Sequence, residues 1–83
     1  ATITLTGTGN LWLILTPSTT LANLNVTLPV SAVDMQEVSV TCTQIITSLD
    51  VDDPNNGAPT SMVAGGFFTM RYDATNSIWR RVA

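Results

Sequence analysis

The fold class is decided by residues 37–43, which read EVSVTCT. Val38, Val40 and Cys42 alternate there with serine and threonine. Because successive side chains of a strand point to opposite faces, this alternation predicts a strand with one buried and one exposed face. We place this strand at the centre of the predicted sheet.

Similar strand patterns lie on both sides of this central stretch. Residues 1–8 alternate threonine with Ile3 and Leu5, which predicts an extended, half-buried N-terminal strand. The run LWLIL at 11–15 predicts a short strand buried on both faces or nearly so. The turn DATNS at 73–77 predicts a C-terminal hairpin. The predicted strands are 1–8, 11–15, 23–28, 37–43, 45–51, 66–73 and 77–82.

Turn signals separate these strands, and helix signals are almost absent. Turns that recur every eight to twelve residues or so are typical of antiparallel sandwiches and barrels. The sequence therefore predicts an all-β fold: a small antiparallel β-sandwich or barrel of about seven short strands. It shows no evident internal repeat, so we expect a single β domain over 1–83, with 1–9 as an N-terminal arm.

Composition narrows the kinds of function this chain can have. It has 83 residues, one cysteine, no histidine and no lysine, and only 11% of its residues are charged. An internal disulfide and a zinc site of the usual Cys/His kind are therefore excluded, and no cofactor is expected. A domain this small needs further stabilisation, and association with other subunits is the source that remains.

Charge and hydropathy bear on possible partners. The net charge of −3 argues against binding to nucleic acid, which needs an excess of Lys and Arg. No run approaches the ~20 apolar residues of a membrane-spanning helix. We therefore predict neither a nucleic acid nor a membrane partner.

Catalytic groups are scarce. Without histidine and lysine, a general base near neutral pH would have to be a carboxylate or Cys42. Cys42 falls on the inward face of the predicted central strand, whereas a reactive thiol needs a positive and exposed setting. The sequence predicts that this protein is not an enzyme.

An acidic loop raises the question of a calcium site. Its oxygen-bearing side chains are Asp50, Asp52, Asp53 and Asn55. Carboxylate and amide oxygens suit calcium, but Pro54 interrupts the spacing of an EF-hand loop. A solvated turn is the preferred interpretation, and a looser calcium site is the alternative.

All three positively charged residues lie in the C-terminal stretch 66–82, beside Tyr72 and Trp79. One interpretation is a closing hairpin whose aromatics fill the core while the arginines pair with Asp73 or a neighbouring subunit. The alternative is a platform of Tyr72 and Trp79 on which a sugar stacks. The candidates for partner contacts are Ile3, Leu5, Arg71, Arg80 and Arg81.

Two segments carry a resemblance to a known group of proteins. The ending FFTMRYDATNSIWRRVA, 67–83, resembles the closing hairpin of small β-domains in virion proteins of tailed bacteriophages. The middle, NVTLPVSAVDMQEVSVTCTQIITSLDVD, 25–52, is similar to the same modules. Those modules have an Asp-Gly-Gln turn at the position of Asp34-Met35-Gln36 in this chain. Here Met35 stands in place of that glycine, which would allow positive φ. The resemblance covers about residues 22–83.

The resemblance implies a virion structural protein that is made in the host cytoplasm. The first expectation is a capsid decoration, or cement, protein that binds the major capsid protein on the capsid surface, as a homotrimer. The N-terminal strand Ala1–Thr8 would then act as an arm that adds to a neighbour's sheet. The alternatives are a head or tail fibre or baseplate β module, and a carbohydrate-binding module.

Overall fold

A computed structural model describes residues 2–52 and 55–83 of the chain. The protein is all-β, as the sequence predicts. In the described residues there are eight strands: β1 Thr2–Thr4, β2 Leu11–Leu15, β3 Leu21–Thr27, β4 Glu37–Cys42, β5 Ile46–Val51, β6 Asn55–Asn56, β7 Phe67–Asp73 and β8 Ile78–Arg81.

The strands form two sheets, and the chain passes from one to the other at every connection from β1 to β6. The three-stranded sheet has the order β1-β3-β5, and the five-stranded sheet has the order β2-β4-β7-β8-β6. β1 and β2 make a first rung, with one strand in each sheet, and β3 and β4 make a second rung. The fold is therefore solenoid-like, and its longest dimension is 38 Å against 20 Å in the other two.

Most of the strand pairing is parallel, which corrects the predicted antiparallel sandwich or barrel. β1 pairs with β3, β3 with β5 and β2 with β4, all in parallel. Parallel neighbours need a crossover between them, and in these three pairs the crossover contains a strand of the opposite sheet. The predicted C-terminal hairpin is present, because β7 and β8 are antiparallel.

The core lies between the two sheets. Leu24 and Val26 of the three-stranded sheet and Val38, Val40 and Cys42 of the five-stranded sheet are almost fully buried. These are the inward positions that the alternation predicts. The hairpin contributes Phe68, Met70 and Trp79 to the same core. The described residues include no helix long and apolar enough to cross a membrane.

Candidate interaction site

The first rung leaves one end of the solenoid uncovered. Within the described residues, β1 pairs only with β3 and β2 pairs only with β4, so each has one free edge. The inward side chains of this rung are only partly buried: Ile3, Leu5, Leu11, Leu13 and Leu15. We call these two strands, with their free edges and inward side chains, the open end.

The opposite end is closed by the chain itself. Met62 and Ile46 exchange backbone hydrogen bonds of 3.0 Å, and the Leu49 amide donates to the Thr60 carbonyl oxygen at 2.8 Å. Residues 60–62 thus run along the edge of β5, and Met62 is buried. The solenoid therefore has one capped end and one open end.

The outward side of β2 corrects a second prediction. Trp12 is 72% exposed and Ile14 is 51% exposed, whereas the run LWLIL predicts burial on both faces or nearly so. The reason is that the fold has two layers, so no third layer covers the outer face of the five-stranded sheet. Two apolar side chains thus face outward on β2.

These two side chains belong to a larger surface, the outer face of the five-stranded sheet. Phe67 at 68% exposure and Val82 are also exposed there. The strand register places Trp12 beside Ser39 and Ser39 beside Thr69, and the two hydroxyls share a 2.9 Å hydrogen bond. The outer face therefore combines exposed apolar side chains with a row of hydroxyls.

Two of the three arginines are paired within this face. Arg71 donates from Nε to Glu37 Oε2 at 2.9 Å and also from its Nη2, and Arg80 Nε donates to Asp73 Oδ2 at 3.1 Å. The pairing of an arginine with Asp73, predicted from the sequence, is confirmed for Arg80. Their charges are thus compensated inside the chain.

The third arginine and the two N-terminal candidates lie elsewhere. Arg81 is exposed, and its Nε donates to the carbonyl oxygen of Ala83 at 3.0 Å. Ile3 and Leu5 lie at the open end, half-buried. The five predicted contact residues therefore do not form one surface.

Among the described residues, Asp73 is an ionisable group whose surroundings clearly shift its pKa. The side-chain amide of Asn76, which donates to Asp73 Oδ2 at 2.8 Å, lowers the pKa of this carboxyl, and Arg80 lowers it further. Both partners stabilise the ionised form. The turn of the hairpin is thus held by a carboxylate.

The burial of Trp79 contradicts the alternative interpretation of Tyr72 and Trp79 as a stacking platform and agrees with the preferred one, a hairpin whose aromatics fill the core. The two rings contact each other, with centroids 5.2 Å apart, and Trp79 is only 4% exposed. They lie opposite each other on the inward face of the hairpin. Trp79 is a core residue, so it cannot present a flat surface to a sugar.

The acidic loop is organised by backbone contacts. Asp52 Oδ1 accepts a 2.7 Å hydrogen bond from the Leu28 amide, and Asn55 Nδ2 donates to the carbonyl oxygens of Val51 and Asp52. Asp50 is exposed and in register with Asn25. Asp53 lies outside the described residues. Within 2–52 and 55–83, no three His, Cys, Asp or Glu side chains are grouped so that they could hold a metal ion.

Gln36 is a structural residue that the sequence reasoning missed. It is 2% exposed, and its Oε1 accepts a hydrogen bond from the Val33 amide at 3.1 Å. Its Nε2 donates to the carbonyl oxygens of Gly7 at 3.1 Å and Gly9 at 2.9 Å. A buried glutamine between two rungs fixes the corner that leads into β2.

Met35 precedes this glutamine and has φ 67°. The backbone therefore has the positive φ that the Asp-Gly-Gln turn of the resembling proteins implies, although the residue is methionine. The side chain is exposed. A residue other than glycine is strained in this conformation.

Comparisons with known proteins find a similar fold but no matching family. No protein-family profile matches the chain, and no curated protein matches it. A chain in the solved structure of a chaperone–substrate complex is similar over 98% of this chain, with a TM-score of 0.65 and 19% identity. This chain corresponds to 14% of the length of that one. At this identity the likeness concerns the fold: an all-β domain of two sheets with a solenoid-like path.

Proposed function

We propose that this chain is a structural module of a virion and that it assembles through its open end. The observation that carries the proposal is the contrast between its two ends. One end is capped by residues 60–62, and the other presents two free strand edges. A repeat array needs a cap only where the stack stops, so the open end is where it continues.

The open end has two sources of binding free energy. Its half-buried leucines and Ile3 would lose their remaining contact with water, and buried apolar area stabilises by about 25 cal/mol per Å². The free edges of β1 and β2 offer backbone donors and acceptors to a further strand. Both sources act together only if the partner supplies a rung with a strand in each sheet.

In an assembled virion this partner would be a further β-rung, and for the isolated protein it is a second copy. Two open ends can meet about a two-fold axis, with β1 next to β1 and β2 next to β2 of the partner copy, antiparallel. Such a contact uses the same surface on both copies and closes on itself. It gives a dimer, whereas the homotrimer implied by the resemblance would need a contact between lateral faces.

Between the two virion roles, the geometry favours a fibre, baseplate or other appendage module over a capsid decoration protein. The decoration role needs the N-terminal strand as a free arm that reaches the major capsid protein. Here β1 pairs in parallel with β3 of its own domain. A stack of rungs instead extends along one axis, as an appendage does.

The experiment is a measurement of mass in solution by light scattering, on the wild type and two variants of β1. Ile3→Lys places a charge on the inward side of the open end, and such charges block the addition of strands. Thr2→Lys is the matched control, because Thr2 is exposed. A wild-type dimer that Ile3→Lys dissociates and Thr2→Lys preserves supports the proposal.

Circular dichroism of both variants shows whether they remain folded. A wild type that stays monomeric at every concentration, or a dimer that a folded Ile3→Lys variant leaves intact, contradicts assembly through the open end. A stable trimer would move the contact to a lateral face.

A further inference from the structure

We propose that the outer face of the five-stranded sheet binds a neutral saccharide, with Trp12 and Phe67 as two stacking platforms. The proposal is independent of assembly, because it uses the face of the sheet and leaves its edges free. It replaces the platform of Tyr72 and Trp79, which lies in the core.

A depression beside Trp12 supplies the first position for a sugar ring. Its volume is about 340 Å³, within the range of small-ligand sites. Its lining residues are Asn10, Leu11, Trp12, Glu37 and Ser39. The face of an indole ring carries partial negative charge and attracts the positively polarised C–H groups of a sugar ring.

The polar groups of the depression are already oriented. Asn10 Oδ1 accepts a 2.9 Å hydrogen bond from the Glu37 amide, so the Nδ2 of the same side chain remains as a donor. Both hydrogen bonds from Arg71 go to Glu37 Oε2, so Oε1 remains as an acceptor. A donor and an acceptor held beside an aromatic ring can bind neighbouring hydroxyls at little entropic cost.

Phe67 supplies a second position on the same face. The register places Trp12 two strands from Thr69, and Phe67 two residues from Thr69. With strands about 4.8 Å apart, the two aromatic positions are about 12 Å apart along the sheet. The hydroxyls of Ser39, Thr41 and Thr69 lie between them, so a chain of several sugar rings would meet polar groups between the platforms.

A saccharide fits this face better than a second copy or a nucleic acid. The apolar side chains are separated by hydroxyls, and two ion pairs lie in the face, whereas the centre of a protein interface is poor in charged residues. Arg71 and Arg80 are already paired with carboxylates, so neither offers an unpaired positive charge to a phosphate group. Beside Trp12, where the nearest arginine is paired with Glu37, a neutral ligand rich in hydroxyls therefore fits best.

The test is a titration followed by amide correlation spectra of the ¹⁵N-labelled protein. The probes are cellohexaose, maltohexaose and chitohexaose, each added to millimolar concentration. The variants are Trp12→Ala and Phe67→Ala, and the control is Val30→Ala, which removes an exposed side chain from a loop away from this face.

The expected result is a saturable shift of the Trp12 indole N–H and of the Asn10 and Glu37 amides with one of the three probes. Trp12→Ala should weaken that binding about tenfold or more, Phe67→Ala should weaken it less, and Val30→Ala should leave it unchanged. The proposal is overturned if no probe moves these signals or if the binding survives Trp12→Ala. It is also overturned if Phe67→Ala lowers the mass in solution, because Phe67 lies on β7, away from the open end, and the face is then a subunit contact.

Discussion

The side-chain amide of Gln36 donates a 2.9 Å hydrogen bond to the carbonyl oxygen of Gly9, which lies 27 positions earlier in the chain. This bond joins the corner before β4 to the corner before β2. A second bond to Gly7 strengthens the connection. The Gln36 side chain therefore fixes the position of the corner that leads into β2 of the first rung.

Replacing this side chain should destabilise the protein. Gln36→Leu keeps the approximate volume but leaves the carbonyl oxygens of Gly7 and Gly9 without their donor. Leaving a buried polar group unpaired costs about 1–3 kcal/mol. We expect a loss of free energy of unfolding in that range, measured by urea denaturation.

The matched control is Gln44→Leu, because Gln44 is only half-buried. It should change the stability by less than about 0.5 kcal/mol. An equal effect of the two substitutions would show that the hydrogen bonds of Gln36 are not what stabilises the corner.

The conformation of Met35 yields a second prediction. Its φ of 67° is the conformation in which glycine is not penalised. Met35→Gly should therefore be more stable than Met35→Ala by about 1 kcal/mol, since both variants lose the same exposed side chain and only alanine keeps the strain. Thermal and urea denaturation of the two variants measure this difference. An alanine variant as stable as the glycine variant would contradict it.

The lowered pKa of Asp73 predicts that the free energy of unfolding depends on pH. Because its pKa is lower in the folded protein, the ionised carboxyl stabilises the fold above its unfolded pKa. That contribution is lost as the pH falls through the folded pKa, so it should fade below about pH 4. Urea denaturation at several pH values should show wild type more stable than Asp73→Asn at neutral pH, with the difference shrinking in acid. A difference that stays constant down to pH 3 or so would contradict this role.

The positions of the strands were largely predictable from the sequence, but their pairing was not. Alternation placed Val38, Val40 and Cys42 inward, and they are completely buried. Alternation is a local property of each strand, however, and it is the same whether the neighbour is parallel or antiparallel. The expected sandwich followed from turn spacing, which suits hairpins and solenoid corners alike.

A repeat that was not recognised would have indicated the solenoid. Residues 24–26 read Leu-Asn-Val and residues 49–51 read Leu-Asp-Val, and the structure pairs these two segments in parallel. A similar segment that returns after about 25 residues is typical of stacked rungs. The repeat is only three residues long and has two copies in this sequence, so it is difficult to distinguish from chance.

The candidate surfaces were harder to predict, because they depend on which strands lie at an edge and on which sheet faces have no layer over them. The run LWLIL looked like a buried strand, and only the topology shows that Trp12 and Ile14 face outward. Ile3 and Leu5, which alternation makes candidates for partner contacts, lie half-buried at the open end. The ion pairs of Arg71 and Arg80, two further candidates for partner contacts, follow from the strand register, which brings each side chain to a carboxylate of the same chain.

Amide hydrogen exchange as a function of protein concentration tests assembly through the open end most directly. If two open ends join, the amides of β1 and β2 that point away from β3 and β4 should exchange more slowly as the dimer forms. The amides of β7 and β8 should be unaffected, because the hairpin lies outside the contact. The account is contradicted if exchange in β1 and β2 does not change while the mass doubles. It is also contradicted if the protection appears in the hairpin instead.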